Sequence, residues 1–259
     1  MDKLEDTQNE PDVRNVPIHR VGIRDLRHPI RFHDGSGSSQ ATVANVGMSV
    51  ALGADVRGTH MSRFVSILTE EAESISVKGI SGLLDKVADR LESHSVTVRI
   101  DFPYFLTKEA PETKSPGKMD YEISLEGIRE DAETKVHLTV SVPVTTLCPC
   151  SRNISKRGAH NQRGEVVLTV VGNQDLPFIS DLIAAVETCG SSELYSVLKR
   201  PDEKHVTERA YDNPVFVEDL VRNVSLKMQG MNGIESFRVE GENFESIHNH
   251  NAFAIVISG

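Results

Sequence analysis

Cysteine is scarce in this chain of 259 residues: there are three, an odd number. No export signal is read at the start, which argues against a disulfide framework and for thiol chemistry or metal binding where cysteines cluster. Long apolar runs are missing as well. Hydrophobic residues make up 38% and charged residues 25%, and no run approaches the ~20 residues needed to span a bilayer. A soluble protein with no membrane partner is expected. Basic residues are in deficit, with 28 Lys and Arg against 38 Asp and Glu and a net charge of -10. That disfavours nucleic acid and anionic surfaces as partners and confines any bound phosphate to a defined pocket. The opening text MDKLEDTQNEPDVRN has no apolar core, so neither a secretory signal nor a transit peptide is expected, and the expected location is cytoplasmic.

The length suits one large domain or two modest ones. Residues 1–19, with Pro11 and Pro17 among charges, read as an extended arm. Strand-like text around HDGSGSS then reads as a hairpin, followed by helices over 60–75 and 80–93 with apolar stripes. Alternation returns at Val96, Val98, Ile100 and Phe102, and again at Tyr121, Ile123 and Leu125. From Glu133 the order recurs: two strands, helical segments over 178–198, with a break near Gly190, and 214–229, then two strands. The chain thus reads ββααββ twice, with units over 20–132 and 133–259. Hairpins with helices between them imply an α+β fold, an antiparallel sheet covered by helices on one face. Exposed sheet edges imply a homo-oligomer. Cys189 follows an apolar helical segment and reads as a buried structural thiol.

The chemistry concentrates in LCPCSRNISKRGAH. Cys148 and Cys150 fall at a strand end, where alternate side chains share a face unless Pro149 bends the backbone. Cys-X-Cys is too tight for both sulfurs to hold one ion easily. One cysteine on a metal and the other beside it is the economical arrangement, and His160 supplies an imidazole. Further ligand types lie downstream: Glu203 and His205, then Glu242, Glu245, His248 and His250. Thiolate, imidazole and carboxylate suit a zinc-like ion with one position left for water, a hydrolytic arrangement. His248 or His250 could shuttle protons near neutral pH, and Glu245 could take a proton from water. Glu218 near a helix start meets the helix dipole, or pairs its two oxygens with the N–H donors of a guanine edge. Thr59, as an N-cap, with His60 and Arg63 in the first turn, makes either an ordinary capped helix or a phosphate-binding end.

In combination and order, VGIRDLRHPI, RGTHMSRF, SVTVRIDFPYFLTKEAP, TTLCPCSRNISKRGAHNQR, LKRPDEK, NPVFVEDLVRN and ESIHNHNAFA span nearly the whole chain. They resemble the type IB GTP cyclohydrolase I family, the metal-dependent first enzymes of folate synthesis. The resemblance implies a tunnelling fold (T-fold) of two ββααββ units per chain, with helices outside, in a homotetramer whose active sites lie at interfaces. It implies that Cys148, His160 and Glu203 bind a divalent transition metal (zinc, iron(II) or manganese) and that no organic cofactor is needed. Glu218 would anchor guanine; Glu245, His248 and Cys150 would stand near the reacting carbon, joined by His250. His60 and Arg63 remain phosphate-side candidates. Lys156, Arg157, Arg163, Lys199, Arg200 and Lys204 are the basic groups available to the triphosphate. GTP would be hydrolysed and rearranged to 7,8-dihydroneopterin triphosphate with release of formate.

The same fold carries a second chemistry, a nitrile reductase with a cysteine nucleophile and NADPH. The set Cys148, His160 and Glu203 argues against it, because a thioimide needs no such ligands. A non-catalytic purine- or pterin-binding module, a structural zinc protein and a thiol-redox pair at Cys148 and Cys150 are the remaining alternatives.

Overall fold

Apolar residues on alternate positions make strands, and apolar stripes at helical spacing cover them. In a computed structural model, which describes Gln8 and residues 10–259, the elements run β1 (Ile18–His33), β2 (Ser39–Leu52), α1 (Met61–Glu71), α2 (Ile80–Leu91), β3 (Ser95–Glu109), β4 (Pro116–Glu130), β5 (Glu133–Leu147), α3 (Pro149–Ile154), β6 (Asn161–Gly172), α4 (Ile179–Glu187), α5 (Arg200–Asp212), α6 (Val217–Gln229), β7 (Ile234–Asn243) and β8 (Ala252–Ser258). The strands take sheet order β1-β2-β3-β4-β5-β6-β7-β8, each beside its sequence neighbour. The first half runs ββααββ; the second keeps two strands, helices and two strands, but with the short helix α3 between β5 and β6 and three helices before β7, and the class is α+β as expected. Among the described residues, no helix is long and apolar enough to cross a membrane.

The chain clusters into two compact units. The first holds the described residues up to Phe102 with 124–137 and 173–175. Here β2 pairs antiparallel with β1 and β3, in register Met48 to Ile23 and Met48 to Val98. Phe64, Ile67 and Leu68 of α1 and Leu83, Leu84 and Val87 of α2 are buried. Of the expected arm over 1–19, residues 1–7 and 9 lie outside the described residues, and Ile18 already belongs to β1. Pro11 bridges Val56, and the Asp12 amide donates to the Asp55 carbonyl at 2.9 Å.

Gly127 gives α2 room to seat on β4. A Cβ there would stand 2.7 Å from Ile80 Cγ1 and 2.9 Å from Leu84 Cδ1. Gly127→Ala is expected to destabilise the protein by about 1–3 kcal/mol through overpacking. Gly82, with nothing within 4 Å of an added Cβ, is the control: Gly82→Ala should stabilise by about 0.5–1 kcal/mol through helix propensity. Urea midpoints check both, and equal effects at the two sites would contradict the packing argument.

The second unit contains 103–123, 138–172 and 176–259. β7 pairs antiparallel with β6 and β8, and α6 packs on β7 and β8. Two buried carboxylates tie its loops. Glu187, the last residue of α4, accepts from Lys108 Nζ and Tyr121 Oη at 2.8 Å each. Burial, then the adjacent Glu187 charge, pushes the Tyr121 phenol well above its usual range. Asp202, fully buried in the first turn of α5, accepts from the amides of Glu112, Thr113 and Lys199 at 2.9 Å and from the Thr113 hydroxyl at 2.7 Å.

Burial alone would raise the Asp202 pKa, but these donors outweigh it and hold the carboxyl well below the usual carboxylate range. A group whose pKa is depressed by folding stabilises the fold above its unfolded value of about 3.9, and that contribution is lost as pH falls through the folded value. Asp202→Asn should therefore lower the denaturant midpoint clearly at pH 7, and the gap from wild type should narrow below about pH 4. A gap of equal size at pH 3 and pH 7 would contradict this role.

Candidate active site

The Cys-Pro-Cys step is a helix start. Cys148 (φ -69°, ψ 116°) keeps the extended backbone that a following proline favours, and Pro149 opens α3. Cys148 is thus the N-cap, with the Ser151 amide donating to its Sγ at 3.4 Å. Cys150 lies in the first turn and is exposed. The two cysteines do not share a strand face, because Pro149 ends the strand and begins a helix. Behind α3 the chain returns through Gly158 (φ +66°). The Cys148 amide donates to the His160 carbonyl at 3.1 Å, and the His160 amide donates to Ser151 Oγ at 3.2 Å. The loop is closed on itself, which brings the thiol and the imidazole together.

They line one cleft of about 230 Å³ with Gln162, Val215, Phe216, Asn243, Glu245, His248, His250 and Ala252. The Val215 amide is pinned to the Leu147 carbonyl at 3.0 Å, which sets the Phe216 wall beside β5. The Phe244 amide donates to the Arg163 carbonyl at 2.9 Å, which starts the segment bearing Glu245. Glu245 Oε2 is buried without a hydrogen-bond partner among the described residues. The rings of His248 and His250, in an exposed loop, stack with centroids 5.1 Å apart. Five expected site residues, Cys148, His160, Glu245, His248 and His250, therefore meet in one place.

The other expected residues stand elsewhere. Glu203 is exposed in the first turn of α5 and does not line the cleft. The Arg152 guanidinium of α3, 4.8 Å from the Tyr211 ring centroid, ties α3 to α5. Glu218 is exposed in the first turn of α6, two residues beyond Phe216. His60 and Arg63 belong to the first unit. His60, not Thr59, is the N-cap of α1, with no side-chain cap bond, and Arg63 Nη1 donates to the Arg90 carbonyl at 3.3 Å. Thr59 is buried.

Among the described residues, no group of three His, Cys, Asp or Glu side chains is arranged to hold a metal ion. The cleft does offer a soft thiol, an imidazole and a carboxylate oxygen that lacks a partner, a donor chemistry that suits a zinc-like ion. Sequence reasoning missed Gln162, Asn243, Val215, Phe216 and Ala252. The signal for the first two was a polar residue on the inward row of an otherwise apolar strand.

A solved uricase from Arthrobacter globiformis is similar in fold, with a TM-score of 0.53 at 7% identity over 92% of each chain. That likeness places the chain in the tunnelling fold. The GTP cyclohydrolase FolE2 of Halorhodospira halophila is 48% identical over 253 residues, covering 98% of this chain and 97% of that protein. The FolE2 of Akkermansia muciniphila is 49% identical over 259 residues, covering 99% and 98%. The family model for type I GTP cyclohydrolase FolE2 matches residues 4–254, a span that includes every residue of the cleft. The chain belongs to the type I GTP cyclohydrolase FolE2 family.

Proposed function

We infer that this chain, a type IB enzyme of that family, hydrolyses and rearranges GTP to 7,8-dihydroneopterin triphosphate and formate, the first step of tetrahydrofolate biosynthesis. The observation that carries this reading is the convergence of Cys148, His160 and Glu245, whose buried Oε2 has no partner among the described residues, in one cleft of a FolE2 family member. Cys148 and His160 would hold a divalent transition metal, zinc being the ion their chemistry suits best, with Glu203 as third ligand. Glu203 is exposed on α5, so it is free to join an ion at a surface shared with another copy. When bound, such an ion activates water at neutral pH.

The protein's own groups do the rest. Glu245 orients the water and takes its proton as oxygen adds to C8 of the guanine. His248 and His250, stacked at the cleft mouth, return a proton to the ring nitrogen as the five-membered ring opens. A second water releases C8 as formate, and loss of one water on ring closure leaves a net uptake of one. Glu218 accepts from the guanine N1–H and exocyclic amine, which holds C8 in place. Cys150, exposed in α3, assists if the bound substrate reaches it, and His60 and Arg63 serve the phosphate side.

A homotetramer of chains built as units over 20–132 and 133–259 fits the edge strand β8. Among the described residues that strand pairs only with β7, and it exposes Phe253 (68%) and Ile257 (73%). Light scattering should give the mass of four chains, and a monomer would remove the shared-site reading. The activity itself is tested by incubating zinc-reconstituted protein with GTP: formate and a pterin, fluorescent after oxidation, are expected in equal amounts. GTP turnover to phosphate without formate would overturn the assignment.

A further inference from the structure

The inward rows of β5, β6 and β7 are apolar for most of their length, and each ends in a polar residue, two of which, Gln162 and Asn243, line the cleft. Val140, Val142 and Val144 lead to Thr146; Leu168 and Val166 lead through Gly164 to Gln162; Val239 leads through Gly241 to Asn243. The three polar residues are 0%, 8% and 4% exposed. Neutral polar side chains so placed cost stability unless they are bonded. They are bonded, in a single file: His160 Nδ1 lies 3.0 Å from Gln162 Oε1, Gln162 Nε2 donates to Thr146 Oγ1 at 2.9 Å, and Thr146 Oγ1 donates to Asn243 Oδ1 at 3.0 Å. Gly164 leaves room for the end of the file, because a Cβ there would stand 3.0 Å from Asn243 Oδ1.

The direction of this file fixes a proton. A threonine hydroxyl has one hydrogen to give. Thr146 gives it to Asn243 and so accepts from the Gln162 amine, which turns the Gln162 carbonyl oxygen toward His160. A carbonyl oxygen only accepts. With the Gln162 and Asn243 amides in this orientation, His160 Nδ1 carries the hydrogen, and in the neutral ring Nε2 then keeps its lone pair. With every amide reversed, Nε2 would carry the hydrogen and could not bind a metal.

We propose that Gln162, Thr146 and Asn243 are positioning residues that lock His160 in the Nδ1–H tautomer, reserving Nε2 for the metal. The file also joins that histidine to the end of β7, from which Glu245, His248 and His250 follow. Ligand geometry and the proton-handling loop are set by the same three side chains. The proposal rests on the reading of Cys148 and His160 as metal ligands.

Nitrogen-15 spectra of metal-free protein labelled in the histidine rings test it, with His160→Gln identifying the signal. A protonated Nδ1 and an unprotonated Nε2 are expected for His160; the opposite tautomer overturns the proposal. Zinc affinity is then measured against a competing chelator. Gln162→Leu, which keeps the volume and loses the acceptor, should bind zinc about 10–100-fold more weakly, whereas Gln162→Glu, which can still accept from Nδ1–H, should stay within about threefold of wild type. Wild-type affinity in Gln162→Leu also overturns the proposal. Should Gln162→Leu fail to fold, the wild-type spectrum and Gln162→Glu still decide. Should wild type bind no stoichiometric zinc, the metal reading fails while the tautomer measurement stands on its own.

Discussion

Cys148→Ser is expected to leave a folded protein that has lost its metal and its activity. The proposed reading gives Cys148 two functions that the substitution separates. As N-cap of α3 it accepts the Ser151 amide through sulfur at 3.4 Å, and serine is among the best residues for that position. The melting temperature should therefore change little. As a ligand, a neutral hydroxyl is a far poorer donor than a thiolate, so bound zinc should drop well below one per chain. Formate release from GTP should fall by about 10³-fold or more, since water activation goes with the ion. Cys148→Ala removes the cap as well and should cost a further ~0.5–2 kcal/mol of stability. Metal content, melting temperature and formate release measured on the same preparations separate these effects. A Cys148→Ser protein that retains zinc and activity would show that the sulfur serves the helix alone.

Glu218→Gln should damage catalysis while sparing the fold. The residue is exposed in the first turn of α6, where a carboxylate favours the helix by only about 0.3–1 kcal/mol. Toward guanine it would accept two charge-assisted hydrogen bonds of about 1.5–3 kcal/mol each. Glutamine keeps one acceptor and turns an amine toward the guanine donors, so kcat/KM for GTP should fall by about 10²–10⁴-fold. Inosine triphosphate, which lacks the exocyclic amine, provides the complementary test. Wild type should discriminate strongly against it, and Glu218→Gln should discriminate much less. A Glu218→Gln enzyme within about threefold of wild type on GTP would place the guanine anchor elsewhere.

Much of the fold was legible because its apolar residues fall at regular spacing. The valines at 136, 140 and 142, and the stripes through 64–68 and 217–228, lie where alternation and helical spacing put them. Helix α5 was not legible. Its sequence, RPDEKHVTERAYD, buries only Asp202 and Ala210, so no apolar stripe announces it. The signals it does carry, a proline at its start and an aspartate bonded back to the Lys199 amide at 2.9 Å, are those of a helix held by capping and by its loop contacts. The helix expected over 178–198 stops at Glu187, whose carboxylate is committed to Lys108 and Tyr121. Gly190, where a Cβ would lie 3.0 Å from Val144 Cβ, marks the close approach that follows.

The site was legible in its chemistry and less so in its geometry. Residue types put forward Cys148, Cys150, His160, Glu203, His205, Glu242, Glu245, His248 and His250; of these, Cys148, His160, Glu245, His248 and His250 line one cleft and the other four do not. What supports them was hidden, because Thr146, Gln162 and Asn243 are unremarkable polar letters until three strands are set in register. The Gly164 to Asn243 pairing of β6 and β7 brings them together, and a single sequence does not state that register. The position of Glu203 has a similar cause. How α5 is turned depends on the Asp202 cage, which is not written in local spacing.

The most direct test of the central claim, that Cys148 and His160 together hold the ion that activates water, is X-ray absorption at the zinc edge of reconstituted, active protein. One sulfur at about 2.3 Å and nitrogen and oxygen neighbours at about 2.0–2.2 Å are expected, with the sulfur shell absent in Cys148→Ser and the imidazole signature absent in His160→Gln. An active enzyme whose zinc has no sulfur neighbour would contradict the account.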